Sequence, residues 1–271
     1  MSPVDHFSFG LSTPVLAYIM SSVGSMLGLM LTSRARLIGG REGRLWLVGA
    51  AFAIGGTGIW TMHFIAMLGF SVTGSVVRYD VPLTAASAVI AVVVVGMGLF
   101  LASYGGERLL FLLGGGILTG SGVAGMHYLG MAAMNMSGHI SYDPVVVSLS
   151  VLIAIAAATV ALWFTLRVSG ALKIGAAALV MGVAVAGMHY TGMYSMSVQT
   201  HGETVPVPGA KAIDFLLPLI VGISVITVGL LLTVILSPSE KELRGEAEFR
   251  DRLRDRDEGA PEVDLFGTPR R

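Results

Sequence analysis

Three short stretches of this chain set a histidine among methionines: Met62-His63-Phe64-Ile65-Ala66-Met67, Met126-His127-Tyr128-Leu129-Gly130-Met131 and Met188-His189-Tyr190-Thr191-Gly192-Met193. The histidines recur at nearly equal intervals along the chain, regular enough to mark an internal repeat. On a helix, His63 and Met67, His127 and Met131, and His189 and Met193 are i,i+4 pairs that share one face. Met62, Met126 and Met188 stand next to their histidines, about 100° round the helix. Met134 and Met196 extend the same face by one further turn, where the first copy has Phe70. A thioether is a soft ligand that selects Cu(I), and imidazole also serves copper. With no thiolate or carboxylate beside them, these donors argue against zinc, calcium and magnesium. The expected metal ligands are therefore His63, His127 and His189 with Met62, Met67, Met126, Met131, Met188 and Met193, and the expected metal is copper. Tyr128 and Tyr190 are expected to support the site by hydrogen bonding to an imidazole or bound ligand, which Phe64 cannot do.

The plainer reading is that methionine fills gaps in membrane helices and that one such histidine only bonds a neighbouring helix. Three occurrences at one depth argue for a site instead, since ionisable residues inside a membrane are functional candidates. His6, His139 and His201 lie in polar terminal or loop segments; they are expected to be solvated and, with Met134 and Met196, are kept as additional candidate ligands. The chain has no cysteine, which removes disulfides, thiolate metal sites and iron–sulfur clusters from consideration.

The elements that must position these residues are long apolar runs. Hydrophobic residues make up 54% of the 271 and charged residues only 13%, against about 25% charged in a soluble domain. Seven runs are long enough to span a hydrocarbon core: 13–33, 45–70, 81–103, 109–134, 144–166, 172–196 and 212–236. Lys173 and Asp214, each at the edge of its run, are the two charged residues inside them. Their length excludes barrel strands, so the expected fold is all-α and polytopic. It has seven transmembrane helices, arranged as three two-helix repeats, odd then even, plus an exit helix. The first run has no basic leader or cleavage site and reads as a retained helix.

The expected organisation is an external N-terminus (1–12), a six-helix membrane domain (13–205), the seventh helix (206–236) and a charged cytoplasmic tail (237–271). The glycines of helices 2, 4 and 6 predict that those three pack closely together, while helices 3 and 5 are expected to face lipid or support the others. The same glycine faces would also suit contacts between two chains, as in a homo-oligomer. Of 17 basic residues, only Arg78 and Lys211 fall outside the loops and tail of one side. The positive-inside rule makes that side cytoplasmic, with the N-terminus outside. A zero net charge conceals this asymmetry and gives no reason to expect nucleic acid as a partner. The tail is expected to form a short helix over 241–256 before a disordered end.

The three Met-His-aromatic copies near the ends of alternate membrane helices resemble the MHYT domain, a bacterial integral-membrane sensor domain. Met188-His189-Tyr190-Thr191 matches its naming motif in full; the second copy departs at Leu129 and the first at Phe64 and Ile65. The similarity covers roughly residues 10–205, with the seventh helix as the customary exit span. The resemblance implies a sensor in the bacterial cytoplasmic (inner) membrane, proposed to bind copper and to detect oxygen, carbon monoxide or nitric oxide. Family members often continue into domains that make or hydrolyse cyclic di-GMP. Only a short tail follows the seventh helix here, so a separate cytoplasmic signalling partner is expected.

Three functions remain in view on this reading. The first is a non-enzymatic sensor of a diatomic gas or of redox state, with the lipid bilayer as its setting. The second is a copper-handling protein for acquisition or delivery, although the cytoplasmic half offers no matching His/Met path. The third is haem held by two of the histidines. An enzyme is not expected, because the spans hold no carboxylate pair, nucleophile–base pair or nucleotide motif.

Overall fold

The computed structural model describes residues 4–106, 108–199 and 206–238, together with 242, 245, 248, 249, 252 and 253. Among the described residues, seven helices are long and apolar enough to cross a membrane: α1 (Ser12–Ile38), α2 (Gly40–Leu68), α3 (Val81–Gly105), α4 (Leu109–Ala132), α5 (Pro144–Arg167), α6 (Ala171–Tyr194) and α7 (Ala212–Leu236). His201 and most of the expected tail helix lie outside the described residues.

The repeat is visible in every connection. Gly39, Gly106 and Gly170, at φ 65°, 59° and 85°, turn α1 into α2, α3 into α4 and α5 into α6, a conformation that side chains with a Cβ avoid. At the other end, each helix pair is clipped by a two-stranded antiparallel ribbon. β1 (Val4–Asp5) precedes α1 and pairs with β2 (Ser71–Val72) after α2. β3 (Arg78–Tyr79) and β4 (Met134–Asn135) do the same for α3 and α4, and β5 (His139–Tyr142) and β6 (Met196–Gln199) for α5 and α6. The repeat unit is thus strand–helix–helix–strand, and α7 stands outside it. Asp80 and Asp143 cap α3 and α5. Asp80 accepts from the Leu83 amide, and Asp143 from those of Val145 and Val146. The prolines just inside both helices complete a legible start signal.

Neighbouring helices of the repeats pack along their lengths, and α6 closes the ring against α1. The expectation that the even helices pack closely together is corrected here: α2, α4 and α6 approach one another far less than each approaches its odd-numbered neighbours. Most of their glycines instead admit an odd neighbour. A Cβ on Gly55 would stand 2.6 Å from the Ala91 carbonyl oxygen of α3, and one on Gly24 of α1 would run into the Gly58 nitrogen of α2. The glycines mark backbone contacts, but not with the partners first assigned. Inside the ring, an apolar cavity of about 50 Å³ lies against Ile59, Val123, Ala158 and Met188.

Two further features escaped sequence reasoning. Phe52–Thr61 in α2 is π-helical, a form frequent at functional sites, and its Gly55-Gly56-Thr57-Gly58 run was the available signal. Arg34, expected in a loop, lies inside α1 and is buried. Its guanidinium donates to the Val234 and Pro238 carbonyls at the end of α7, at 2.7 and 2.8 Å, and sits over the Trp46 ring. It thereby satisfies carbonyls that a helix end leaves open. The Arg34→Met variant is expected to lose roughly 2 kcal/mol, since hydrogen bonds to charged groups contribute about 1.5–3 kcal/mol each. Thermal unfolding in detergent checks this; an unchanged midpoint would remove Arg34 from the account of how α7 is held.

Candidate metal centre

Each histidine lies five residues before the end of its helix: His63 in α2 ending at Leu68, His127 in α4 ending at Ala132, His189 in α6 ending at Tyr194. At 1.5 Å per residue that is roughly 7.5 Å from each helix end. The ring closure of the three repeats then turns the three side chains inward. His63 Nδ1 is 3.0 Å from His189 Nδ1 and 3.1 Å from His127 Nδ1. All three ligand atoms lie within 4.8 Å of one another, and the rings are at most 1% exposed. The imidazoles stand nearly perpendicular in pairs, with centroids 4.9, 4.9 and 5.1 Å apart.

The cluster is cyclic in its outer edges as well. A Cβ on Gly130 would stand 2.6 Å from His63 Nε2, and one on Gly192 would press still closer on His127 Nε2. These glycines, three residues after the next repeat's histidine, are where even helices do meet. Ala66 holds the corresponding place in the first repeat. The Nε2 atoms of His63 and His127 are buried without a hydrogen-bond partner. Imidazole nitrogens bound to a shared ion at about 2 Å would lie roughly 3.3 Å apart, close to the observed spacing. An ion on the Nδ1 side also offsets the cost of burying rings whose other nitrogen is unpartnered. The three histidines therefore form a candidate metal site.

The methionines flanking the cluster, Met62, Met67, Met126, Met131, Met188 and Met193, are all buried. Met134 and Met196 are buried too, but they have left the helix: each sits in a ribbon strand, which corrects the expected extra turn of a His–Met face. The helix ends two residues earlier, where the Ala133 and Ser195 amides bond back to Leu129 and Gly192. The Tyr128 hydroxyl bonds Ser150 Oγ at 2.6 Å, not an imidazole, although its ring meets His127 edge-on. Tyr190 contacts His189 in the same way, and its hydroxyl is buried and unpartnered.

His139 is exposed on β5 opposite Gln199 and lies away from the cluster. His6, expected to be solvated, is instead half-buried, between Phe70 and Tyr194 with centroids 5.7 Å away. Burial holds the His6 imidazole below its usual pKa, with Asp5 pulling the other way. Its buried Nδ1 has no partner. Tyr79, in β3 under Phe64, has its hydroxyl pushed well above the usual range by burial.

A family model described as "Bacterial signalling protein N terminal repeat" (MHYT) matches three times, at residues 56–115, 120–178 and 182–245. Each match begins on a histidine-bearing helix and runs through the next span. Among curated proteins, the chain is 44% identical over 180 residues to the bifunctional diguanylate cyclase/cyclic di-GMP phosphodiesterase MucR of Pseudomonas aeruginosa, covering 65% of this chain and 26% of that protein. It is 34% identical over 217 residues to the cyclic di-GMP phosphodiesterase NbdA of the same organism, covering 75% and 27%. The signaling protein YkoW of Bacillus subtilis is 30% identical over 216 residues, covering 76% and 26%. The chain thus spans about a quarter of the length of the curated relatives it matches. No solved structure matches.

Proposed function

The chain belongs to the MHYT family of membrane signalling proteins, and on that premise we propose that it senses through a copper ion held by His63, His127 and His189. The observation that carries this reading is the convergence of three buried histidines from three repeats, with His63 Nδ1 3.0 and 3.1 Å from the Nδ1 atoms of His189 and His127. Copper supplies a redox-active centre able to bind a small diatomic molecule such as oxygen, carbon monoxide or nitric oxide. The choice of copper is supported by donor chemistry: imidazoles on helix ends whose flanking thioethers are all buried suit a soft ion. The tight spacing favours an ion over haem, whose macrocycle would have to stand between two rings now in edge contact.

The chain's own residues supply the setting. Phe64 packs edge-on against His63, and the histidines are buried from water, which raises the energetic weight of every polar contact there. The apolar cavity reaches Met188, next to His189, and its aliphatic lining suits an uncharged diatomic molecule. Output is assigned to α7. Thr57, in the π-helical part of α2 six residues before His63, bonds Thr227 of α7 through buried hydroxyls. Arg34 holds the far end of α7. A shift of α2 at His63 thus has a direct polar link to the exit helix and its tail. We place the histidine end outside and the tail in the cytoplasm, where it meets a signalling partner; the basic residues gathered on the tail side support that orientation.

The test is elemental analysis with an absorption spectrum on the detergent-purified chain, followed by gas titration. Copper near one per chain, no Soret band and a spectral response to carbon monoxide or nitric oxide are expected. A Soret band would move the reading to haem. Absence of metal after loading with Cu(I) would end the copper reading.

A further inference from the structure

The end of the bundle opposite the ribbons carries a groove of about 550 Å³ between the α1–α2 turn, the end of α3 and the end of α5. Its rim is cationic: Arg36 and Arg44 both line it. Arg36 is held at the α5 end by donating to the Val168 carbonyl. The first turn of α2 opens onto the same rim with no side chain capping it, so its amide end adds positive potential. Among the described residues, nothing stands within 4 Å of where a Cβ would project from Gly39, Gly40 or Gly106. Glu42, the acidic residue of that turn, does not line the groove.

Leu166 lines the groove at the α5 end, and a helical turn or more in from the ends of α3 and α2 the lining becomes Phe100 and Leu47, with Tyr104 exposed near the α3 end. That gradient, from guanidinium through tyrosine to hydrocarbon, follows the axis of helices that cross a membrane. It matches the gradient of a phospholipid from phosphate to acyl chain. We infer that this groove binds an anionic phospholipid, its phosphate between Arg36 and Arg44 and an acyl chain along Leu47, Phe100 and Leu166. A soluble phosphate compound would satisfy the arginines but would leave the apolar floor uncovered. The site is independent of the histidine cluster. It adjoins the clamp on the exit helix, since Arg36 is two residues beyond Arg34 on α1.

The experiment is native mass spectrometry of the full chain in detergent with equal amounts of phosphatidylglycerol and phosphatidylcholine of matched acyl chains. Wild-type protein is expected to retain phosphatidylglycerol preferentially, with the preference falling about fivefold for each arginine removed. Arg44→Gln is the primary variant, because Arg44 is exposed and its loss should leave the thermal midpoint in plain detergent unchanged. Arg36→Gln/Arg44→Gln should abolish the preference. Equal retention of the two lipids by wild type would overturn the inference, as would a preference that survives in both variants. Thermal stabilisation by glycerol phosphate equal to that by phosphatidylglycerol would also overturn it, since a soluble anion would then suffice.

Discussion

Replacing His63 by alanine is expected to lower bound metal at least tenfold under conditions where the wild-type chain holds about one ion, a loss worth about 1.4 kcal/mol or more. His63 is the hub of the cluster, because its Nδ1 makes both of the short nitrogen–nitrogen contacts, to His189 and to His127. Without it, two nitrogens remain to do the work of three. The metal-free fold should tolerate the change better than an ordinary core truncation. Removing a buried ring costs about 2–5 kcal/mol in lost packing. The same substitution removes an unpartnered Nε2, a group whose burial costs about 1–3 kcal/mol. The readout is metal content by elemental analysis, paired with thermal unfolding with and without copper. Wild type should gain about 2.7 kcal/mol at a free-ion concentration one hundred times the Kd, and His63→Ala should gain almost nothing. His127→Ala and His189→Ala should behave alike, whereas His139→Ala, on an exposed ribbon, should match wild type. Full metal occupancy in His63→Ala would falsify the site.

Gly192→Ala is expected to damage the same site without touching a ligand. The added methyl would run into His127 Nε2 and stand 2.9 Å from its Cδ2, well inside contact distance. The obstructing group is a fully buried ring that cannot retreat without pulling its Nδ1 out of the cluster. Overpacking of this kind costs about 1–3 kcal/mol. Displacing a group that orients a ligand lowers metal affinity by about 10- to 100-fold. Gly130→Ala should act likewise on His63, since its Cβ would come within 2.6 Å of Nε2. Ala66, at the matching place in the first repeat, already carries the methyl group, so Ala66→Gly should leave metal binding intact. A Cu(I) titration monitored by competition with a chromogenic chelator separates these outcomes. Wild-type affinity in both glycine variants would mean that the rings are held by something other than the glycine contacts.

The seven spans, their threefold repetition and the placement of His63, His127 and His189 at one depth were all legible in the sequence. Each rests on local quantities: the hydropathy of a single apolar run, and a motif that recurs at a fixed distance from a helix end. The identity of the converging atoms was not legible. Whether an imidazole presents Nδ1 or Nε2 depends on its rotamer and on what crowds its other edge, and that crowding comes from Gly130 and Gly192, each in the following repeat. The glycine runs announced close backbone approach but could not name the partner, because an absent side chain leaves room for any neighbour. For that reason the expectation of even helices packed together gave way to odd–even contacts around a ring. Met134 and Met196 continue the helical spacing in one dimension, yet a carbonyl-capped end and ribbon pairing draw them off the helix. Arg34 read as a loop charge because a lone cation in a span is costly. The fold places the open carbonyls of α7 beside it, and a contact between the first span and the last is a fact that only tertiary structure holds.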